Sequence, residues 1–283
     1  MTYVEAYEWG RNRLLVSNVP DAEWDAWLLL EYVTGMKRAE YLLHQRETLD
    51  KTAEDQYHVL IQQRERRIPL QHLTGEVEFM GLSFLVDRHV LIPRQDTEIL
   101  VELALPEVAG KRVLDVCTGS GCIAIALQKL GSPAVCHGVD LSPQALAVAQ
   151  ENCQRLGAEV MIWQSDLFDQ VKESYDVIVS NPPYIVSTLI PELMPEVREH
   201  EPIMALDGGA DGCLFYRRLA SEAGKYLQDG GKLFLEIGYD QGETVAGLLQ
   251  ENGFVDIQIY PDLAGHDRVV SATWFCPVGN RCC

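Results

Sequence analysis

Between residues 113 and 237 short apolar runs alternate with segments of helical period, and that rhythm leaves few folds open. The runs are 113–116, 134–139, 159–164, 175–180 and 232–237, with helical stretches at 123–130, 143–156 and 215–227. Runs this short and this apolar read as strands buried on both faces. Strands joined through helices pair in parallel with right-handed crossovers, so an α/β sheet is expected. A helix at 97–105 leads into the first strand. At the far end a helix at 241–251 precedes two runs, 255–260 and 268–274, separated only by a loop. The sheet is therefore expected to finish in a hairpin.

Residues 1–70 read as a small all-α domain. Asp21 is placed to cap a helix whose Trp24, Trp27, Leu28 and Val33 recur at helical spacing and which Gly35 ends. A short helix follows at 38–45, and another runs from Thr52-Ala53-Glu54-Asp55 to Arg67. Three of the five tryptophans fall in the first 27 residues, which suggests a separate aromatic core. From 71 to 93 the period changes: Val77, Phe79, Leu82, Phe84, Val86, Val90 and Ile92, with Gly81 and Asp87 as turn residues, read as a β-hairpin linker. Residues 94–283 form the sheet domain.

The net charge of −19 is unevenly held. Residues 1–70 carry 9 Lys and Arg against 12 Asp and Glu, a balance of −3; the remainder carries 14 against 30, a balance of −16. A groove that tracks phosphates needs clustered cations, so neither DNA nor free RNA is expected as the direct substrate. A protein partner suits the charge better. No apolar stretch is long enough for a bilayer, and Met1-Thr2-Tyr3-Val4-Glu5 does not open a signal peptide. No membrane contact and a cytoplasmic location are expected. The eight cysteines are scattered without a CxxC pair, so no zinc or other metal site is expected. Cys282-Cys283 reads as an exposed, oxidisable tail.

Two loops carry the chemistry. Asp115-Val116-Cys117-Thr118-Gly119-Ser120-Gly121 lies where the first strand turns into its helix, and glycines there let the backbone approach a ligand. It is not GxGxxG and no Walker lysine follows. Cys117 stands where a DxGxGxG pattern has its first glycine. Cys117, Thr118, Gly119, Ser120 and Gly121 are read as cradling the amino-acid end of S-adenosylmethionine; the alternative is a tight turn without a ligand. Asp140, ending the second strand, is placed to accept both hydrogens of a ribose diol. It also stands where it could merely cap the next helix, a role for which Ser142 competes. Asp166 and Leu167, after the third strand, are candidates for the adenine, or else simply form a turn.

The fourth strand ends in Asn181-Pro182-Pro183-Tyr184. A strand that runs into two prolines must leave the sheet as a stiff loop. The Asn181 side-chain oxygen and the Pro182 carbonyl are acceptors for the two N–H bonds of a planar NH2 group. Tyr184 would stack on that plane, with Pro183 stiffening the substrate-binding wall. Amide nitrogen is a poor nucleophile, and carbonyls that take both its hydrogens push electron density onto it.

These residues resemble the HemK/PrmC family of protein-(glutamine-N5) methyltransferases that act on peptide chain release factors. The likeness covers most of the chain, through Pro69 to Gly75, Leu91-Ile92-Pro93-Arg94-Gln95-Asp96-Thr97-Glu98, the 117–121 loop, Asn181 to Tyr184, Leu206-Asp207-Gly208-Gly209 and Leu235-Glu236-Ile237-Gly238. It implies a class I, Rossmann-like S-adenosylmethionine-dependent methyltransferase sheet. The expected reaction is methylation of the side-chain amide of the glutamine in a Gly-Gly-Gln motif, leaving S-adenosylhomocysteine and modulating translation termination. Asn181 and Tyr184 would be active-site residues, Asp140 would bind the ribose, and the helical domain would help grip the release factor. A monomer is expected. Arg94 and Glu98 read as structural, joining linker to sheet. The rivals are an adenine-N6 methyltransferase on DNA or RNA, which the acidity disfavours, an NAD-dependent oxidoreductase, which the missing GxGxxG disfavours, and a noncatalytic binding module, against which the intact Asn181–Tyr184 loop speaks.

Overall fold

In the computed structural model, which describes residues 1–276, the apolar runs become the middle of a seven-stranded sheet. The Cys282-Cys283 pair lies outside the described residues. Five helices come first: α1 (Tyr3–Val16), α2 (Ala22–Thr34), α3 (Arg38–His44), α4 (Lys51–Glu65) and α5 (Leu70–Thr74). The strands β1 (Glu76–Phe79) and β2 (Leu82–Leu85) make a hairpin that turns at Met80-Gly81. Then follow α6 (Gln95–Val108), β3 (Arg112–Val116), α7 (Cys122–Gly131), β4 (Val135–Asp140), α8 (Pro143–Leu156), β5 (Met161–Gln164) and β6 (Tyr175–Ser180). The chain ends with α9 (Pro195–His200), α10 (Leu214–Glu222), β7 (Leu227–Glu236), α11 (Gly242–Glu251), β8 (Val255–Pro261) and β9 (Asp267–Trp274). It divides into two compact units, one of Met1–Glu76 with Met194–His200, the other of Val77–Leu193 with Glu201 onward.

In the helical unit, Thr2 and Glu5 close a reciprocal capping box on α1. Asp21 precedes α2 but makes no side-chain cap bond; its φ of −103° and ψ of 40° are not the extended pose that turns a cap back over the first turn. The cap on α4 is Asp50, whose carboxylate accepts from the N–H groups of Thr52 and Ala53, so this helix starts before Thr52. The buried stripe of α2 is Ala22, Ala26, Trp27, Leu29 and Leu30, whereas Trp24 is 61% exposed. Trp27, Tyr41 and Tyr57 fill the core, and the Tyr57 hydroxyl donates to the Ala26 carbonyl at 3.0 Å.

A buried charge cluster fastens the late segment into this unit. Arg64 donates through Nε to Asp25 at 2.6 Å and through Nη2 to Glu196 of α9 at 2.9 Å. Arg67 grips the same Glu196 with two parallel bonds of 2.6 and 2.7 Å.

In the other unit the strand order is β5-β4-β3-β6-β7-β9-β8. All pairs are parallel except those of β9, which slots antiparallel between β7 and β8. Alternate residues feed two cores: Leu114, Ile178, Leu233 and Leu235 face α10 and α11, while Val113, Val177, Val179 and Phe234 face α6 and α7. Burial on both sides is why these strands carry continuous apolar runs. The helix expected at 215–227 stops at Glu222 and tightens into a 3-10 turn at Ala223–Lys225. There Gly224 lies against the Trp274 indole, 2.7 Å from where a Cβ would sit. β7 accordingly begins at Leu227.

Phe79 and Phe84 of the hairpin pack into the core on the α6 face. Arg94 donates to both carboxylate oxygens of buried Glu201 at 2.7 Å, and Glu98 accepts from the Met80 N–H at 2.6 Å. Among the described residues no helix is long and apolar enough to cross a membrane.

Arg64→Ala leaves Asp25 and Glu196 buried without their shared cation, a loss expected to cost roughly 3–5 kcal/mol. Urea unfolding should show an unfolding free energy lowered by that amount, against little change for exposed Arg46→Ala.

Candidate active site

Val116 pairs with Ser180, so the chain segments that follow β3 and β6 emerge side by side at the carboxyl edge of the sheet. Ligands of open α/β sheets bind at such an edge. The Ser180 hydroxyl donates to the Val116 carbonyl at 2.6 Å and ties the two strand ends together.

The loop after β3 is strained in the way its pattern demands. Cys117 has φ 65°, left-handed backbone that glycine accepts at no cost, which is why a glycine is usual at this place. Gly121, at φ 81°, starts α7 where a Cβ would come within 3.2 Å of Ala149. Below the loop, fully buried Asp115 accepts from the Thr118 hydroxyl at 2.6 Å and the Ala124 N–H at 3.2 Å. Burial raises its carboxyl to about 7, against which these two bonds pull down only partly.

Asp140 is held by the loop it faces. One oxygen accepts from the Gly119 N–H and the other from the Ser142 N–H, both at 2.9 Å. Burial still pushes its carboxyl above the usual range. Ser142, not Asp140, caps α8, accepting from the Ala145 N–H at 3.2 Å. With about four lone-pair sites on a carboxylate, acceptor capacity remains for a further partner. Asp166 accepts from Arg218 of α10 at 2.7 Å, and buried Leu167 turns at φ 47° beside it.

After β6, the Asn181 amide nitrogen donates to the Thr97 hydroxyl of α6 at 3.3 Å. Pro182 is buried. The Tyr184 hydroxyl donates to buried Glu236 at 3.4 Å, and its carbonyl accepts from the Gln241 amide at 3.0 Å. Gly208 presses on this loop: a Cβ there would sit 2.7 Å from the Tyr184 backbone. That close approach accounts for the glycine after Leu206-Asp207.

These elements surround a crevice with about 930 Å³ of unfilled space, open solvent at its mouth included. Cys117, Thr118, Gly119, Ser120, Asp140, Asp166, Leu167, Asn181 and Pro183 line it together. Gly121, Pro182 and Tyr184 are not in its wall: Gly121 turns into α7, and the Tyr184 ring packs toward Glu236. The wall also includes Leu91, Pro93 and Thr97, which lie in a stretch legible as a family motif but without an assigned role. Phe215, Pro202 and Met204 also line it, without any signal in the sequence.

Asp115 binds its proton more tightly folded than unfolded. The stability it contributes is therefore full below its unfolded value, near pH 4, and is lost as pH rises to about 7. Asp115→Asn should gain on the wild type by up to about 1.4 kcal/mol per unit between about pH 5 and 7, then hold level. Denaturant titrations of both proteins across that range check it.

The family described as the PrmC N-terminal domain matches residues 5–75, and that described as the methyltransferase small domain matches residues 95–191. A release factor glutamine methyltransferase of Geobacter sulfurreducens is 42% identical over 273 residues, 95% of either chain. A methyltransferase of Pyrococcus furiosus superposes with a TM-score of 0.55 at 18% identity, over 69% of this chain and 90% of that one. A 16S ribosomal RNA methyltransferase of T. thermophilus, solved with AdoMet and guanosine, gives 0.51 at 19% identity over 70% and 49%. The two superpositions establish a class I methyltransferase fold, and the full-length relative carries the closer relationship: this chain belongs to the family of release factor glutamine methyltransferases.

Proposed function

We propose that this protein transfers a methyl group from S-adenosylmethionine to the side-chain amide nitrogen of the glutamine in a Gly-Gly-Gln motif of peptide chain release factors. The observation that carries the reading is the placement of Asn181 in the same wall as the 117–120 loop and Asp140. The relationship to the release factor glutamine methyltransferases over nearly the whole chain supports the choice of acceptor.

The crevice fits the donor chemically. Asp140 offers unfilled acceptor sites for a ribose diol, Leu167 and Ile123 offer apolar surface for an adenine, and Asp166 stands near them for its amino group. S-adenosylmethionine bears a sulfonium and an ammonium, and a wall with Asp140 and Asp166 suits a cation. Cys117, Thr118, Gly119 and Ser120 would receive its amino-acid end, with Gly121 setting the turn. When bound, it supplies an electrophilic methyl group.

The chain's own contribution is orientation. Asn181 Oδ1 would accept one N–H of the glutamine amide; the Pro182 carbonyl and the Tyr184 ring, outside the crevice wall in the free protein, would take the second N–H and bound the amide plane only once substrate is bound. As the N–C bond forms and positive charge grows on nitrogen, both acceptors bind more strongly, and one proton leaves to solvent. Alignment of this kind is worth about 7–11 kcal/mol in the best cases. No metal takes part in this scheme. Residues 1–70 would hold the release factor, with exposed Leu42 and Leu43 offering apolar contact, while 71–93 link them to the catalytic residues 94–283. A monomer acting in the cytoplasm suffices for this chemistry.

Incubation with labelled donor and a release factor should place the label on the Gly-Gly-Gln glutamine; label elsewhere, or none on a folded factor, would sink the assignment. Asn181→Ala should lower turnover by about a hundredfold with donor affinity within about threefold. Asp140→Ala should show the reverse pattern, weakening donor binding at least about tenfold by calorimetry.

A further inference from the structure

Gln241 stands at the start of α11, where a side chain commonly caps the first turn, yet it makes no cap bond. Its side chain turns elsewhere and is buried, the residue being 8% exposed. Oε1 accepts from the Gly238 N–H at 2.9 Å. Nε2 donates to the Tyr184 carbonyl at 3.0 Å and to the Gly212 carbonyl at 3.4 Å. A primary amide has two donor hydrogens, and both are committed here. One side chain thereby joins three separate stretches: the turn after β7, the Asn181–Tyr184 loop and the loop before α10.

The space around this amide is kept clear. A Cβ at Gly212 would lie 2.5 Å from the Tyr184 carbonyl oxygen and 2.6 Å from Gln241 Nε2. One at Gly238 would lie 2.8 Å from Gln241 Oε1. Gly208 approaches the Tyr184 backbone just as closely from its own side.

What the amide holds is the far end of the Asn181–Tyr184 loop. At the near end Ser180 closes β6 in register with Val116. Beyond Tyr184, Ile185 and Asp207 form an isolated parallel bridge. Around it the Ile185 N–H donates to the Leu206 carbonyl at 2.9 Å, and the Gly208 N–H donates to the Ile185 carbonyl at 2.8 Å. Two of the four residues in between are prolines, with no N–H by which the backbone could be held. Carbonyls are the remaining handles, and Gln241 takes the one on Tyr184. A turn of the peptide after Tyr184 would carry the phenol ring with it and, through the stiff Pro182-Pro183 pair, the Pro182 carbonyl. The ring's own tether cannot prevent this, since 3.4 Å from the Tyr184 hydroxyl to Glu236 is long for an O–H···O bond.

We propose that Gln241 is a positioning residue for methyl transfer: its side-chain amide fixes the Tyr184 peptide and so sets the pose from which the Pro182 carbonyl and the Tyr184 ring meet the acceptor amide. The proposal rests on the amide-methylation reading above, but the brace belongs to the free protein and is observable there.

Two variants test it. Gln241→Met keeps the length of the side chain and removes its donors and its acceptor. Gln241→Glu keeps an acceptor for Gly238 but, when ionised, sets a second acceptor against the Tyr184 and Gly212 carbonyls; only its protonated form regains a donor. Single-turnover methylation should be slowed at least about tenfold in Gln241→Met, with donor Kd and release-factor KM within about twofold. Gln241→Glu should be slowed as much at about pH 8.5, and its rate relative to the wild type should recover at least about fivefold by about pH 6. Without substrate, hydrogen exchange at the Ile185 and Gly208 amides should quicken at least about tenfold in Gln241→Met. A merely structural glutamine would give a protein that melts earlier while its folded fraction turns over normally, with no recovery of Gln241→Glu in acid; either result overturns the proposal. So does a loss carried by KM or donor Kd instead of turnover. If Gln241→Met does not fold, the acid recovery of Gln241→Glu decides alone. A wild type inert toward release factors overturns the functional reading, and exchange at Ile185 and Gly208 then still decides whether Gln241 braces the loop.

Discussion

Val116 and Ser180 meet in register across β3 and β6, and the Ser180 hydroxyl closes onto the Val116 carbonyl at 2.6 Å; the loops that line the crevice take their positions from that pairing. Both strands are buried on both faces, so a slip of one residue would send every side chain to the wrong core. The register is therefore fixed by the whole interior. From this fixed edge one loop leaves through glycines and a left-handed cysteine, able to wrap closely, and the other through two prolines, unable to bend. A glycine-bearing loop and a proline-stiffened one thus follow neighbouring strands.

The acids around the crevice are satisfied in an unusual currency. Asp115 and Asp140 are held mainly by backbone N–H groups and a hydroxyl, and Glu236 by the Tyr184 hydroxyl, with no cation among the described residues in a direct pair with any of them. Such groups keep acceptor strength that a salt bridge would have consumed. Burial then places Asp115 and Glu236 near neutrality, so small changes of surroundings decide their charge. A chain of net charge −19 that concentrates buried acids at a sheet edge offers a natural seat for a positively charged ligand.

The sheet was legible because burial on both faces writes continuous apolar runs into the sequence, and α8, β6 and the terminal hairpin fall where that pattern puts them. That the 117–120 loop, Asp140 and Asn181 come to one crevice was legible because turn chemistry is local. Helix starts were less so: Asp21 and Asp50 are the same residue type before the same kind of segment, and only backbone dihedrals separate the one that caps from the one that does not. Trp24 faces out because α2 turns its alanines inward. β7 starts before its apolar run because Leu227 pairs with Tyr175 and the register resumes only at Lys232 with Val177, Gln228 to Gly230 taking no partner strand between them among the described residues. The Thr97–Asn181 contact left no trace in spacing, since its members are separated by 84 positions and meet only once the sheet has closed.

Met194–His200, encoded well inside the sheet-forming half, belongs to the helical unit through the grip of Arg64 and Arg67 on Glu196. The chain thus passes between the two units three times: after Glu76, after Leu193 and after His200. A module joined at a single seam can be borrowed by another protein through one recombination event. This one cannot: a fragment ending at Glu76 would carry a buried guanidinium stripped of one of its carboxylates. Inheritance of the two units as a pair is therefore enforced by chain topology, and any exchange of the helical unit between relatives must carry seven distant residues along with it.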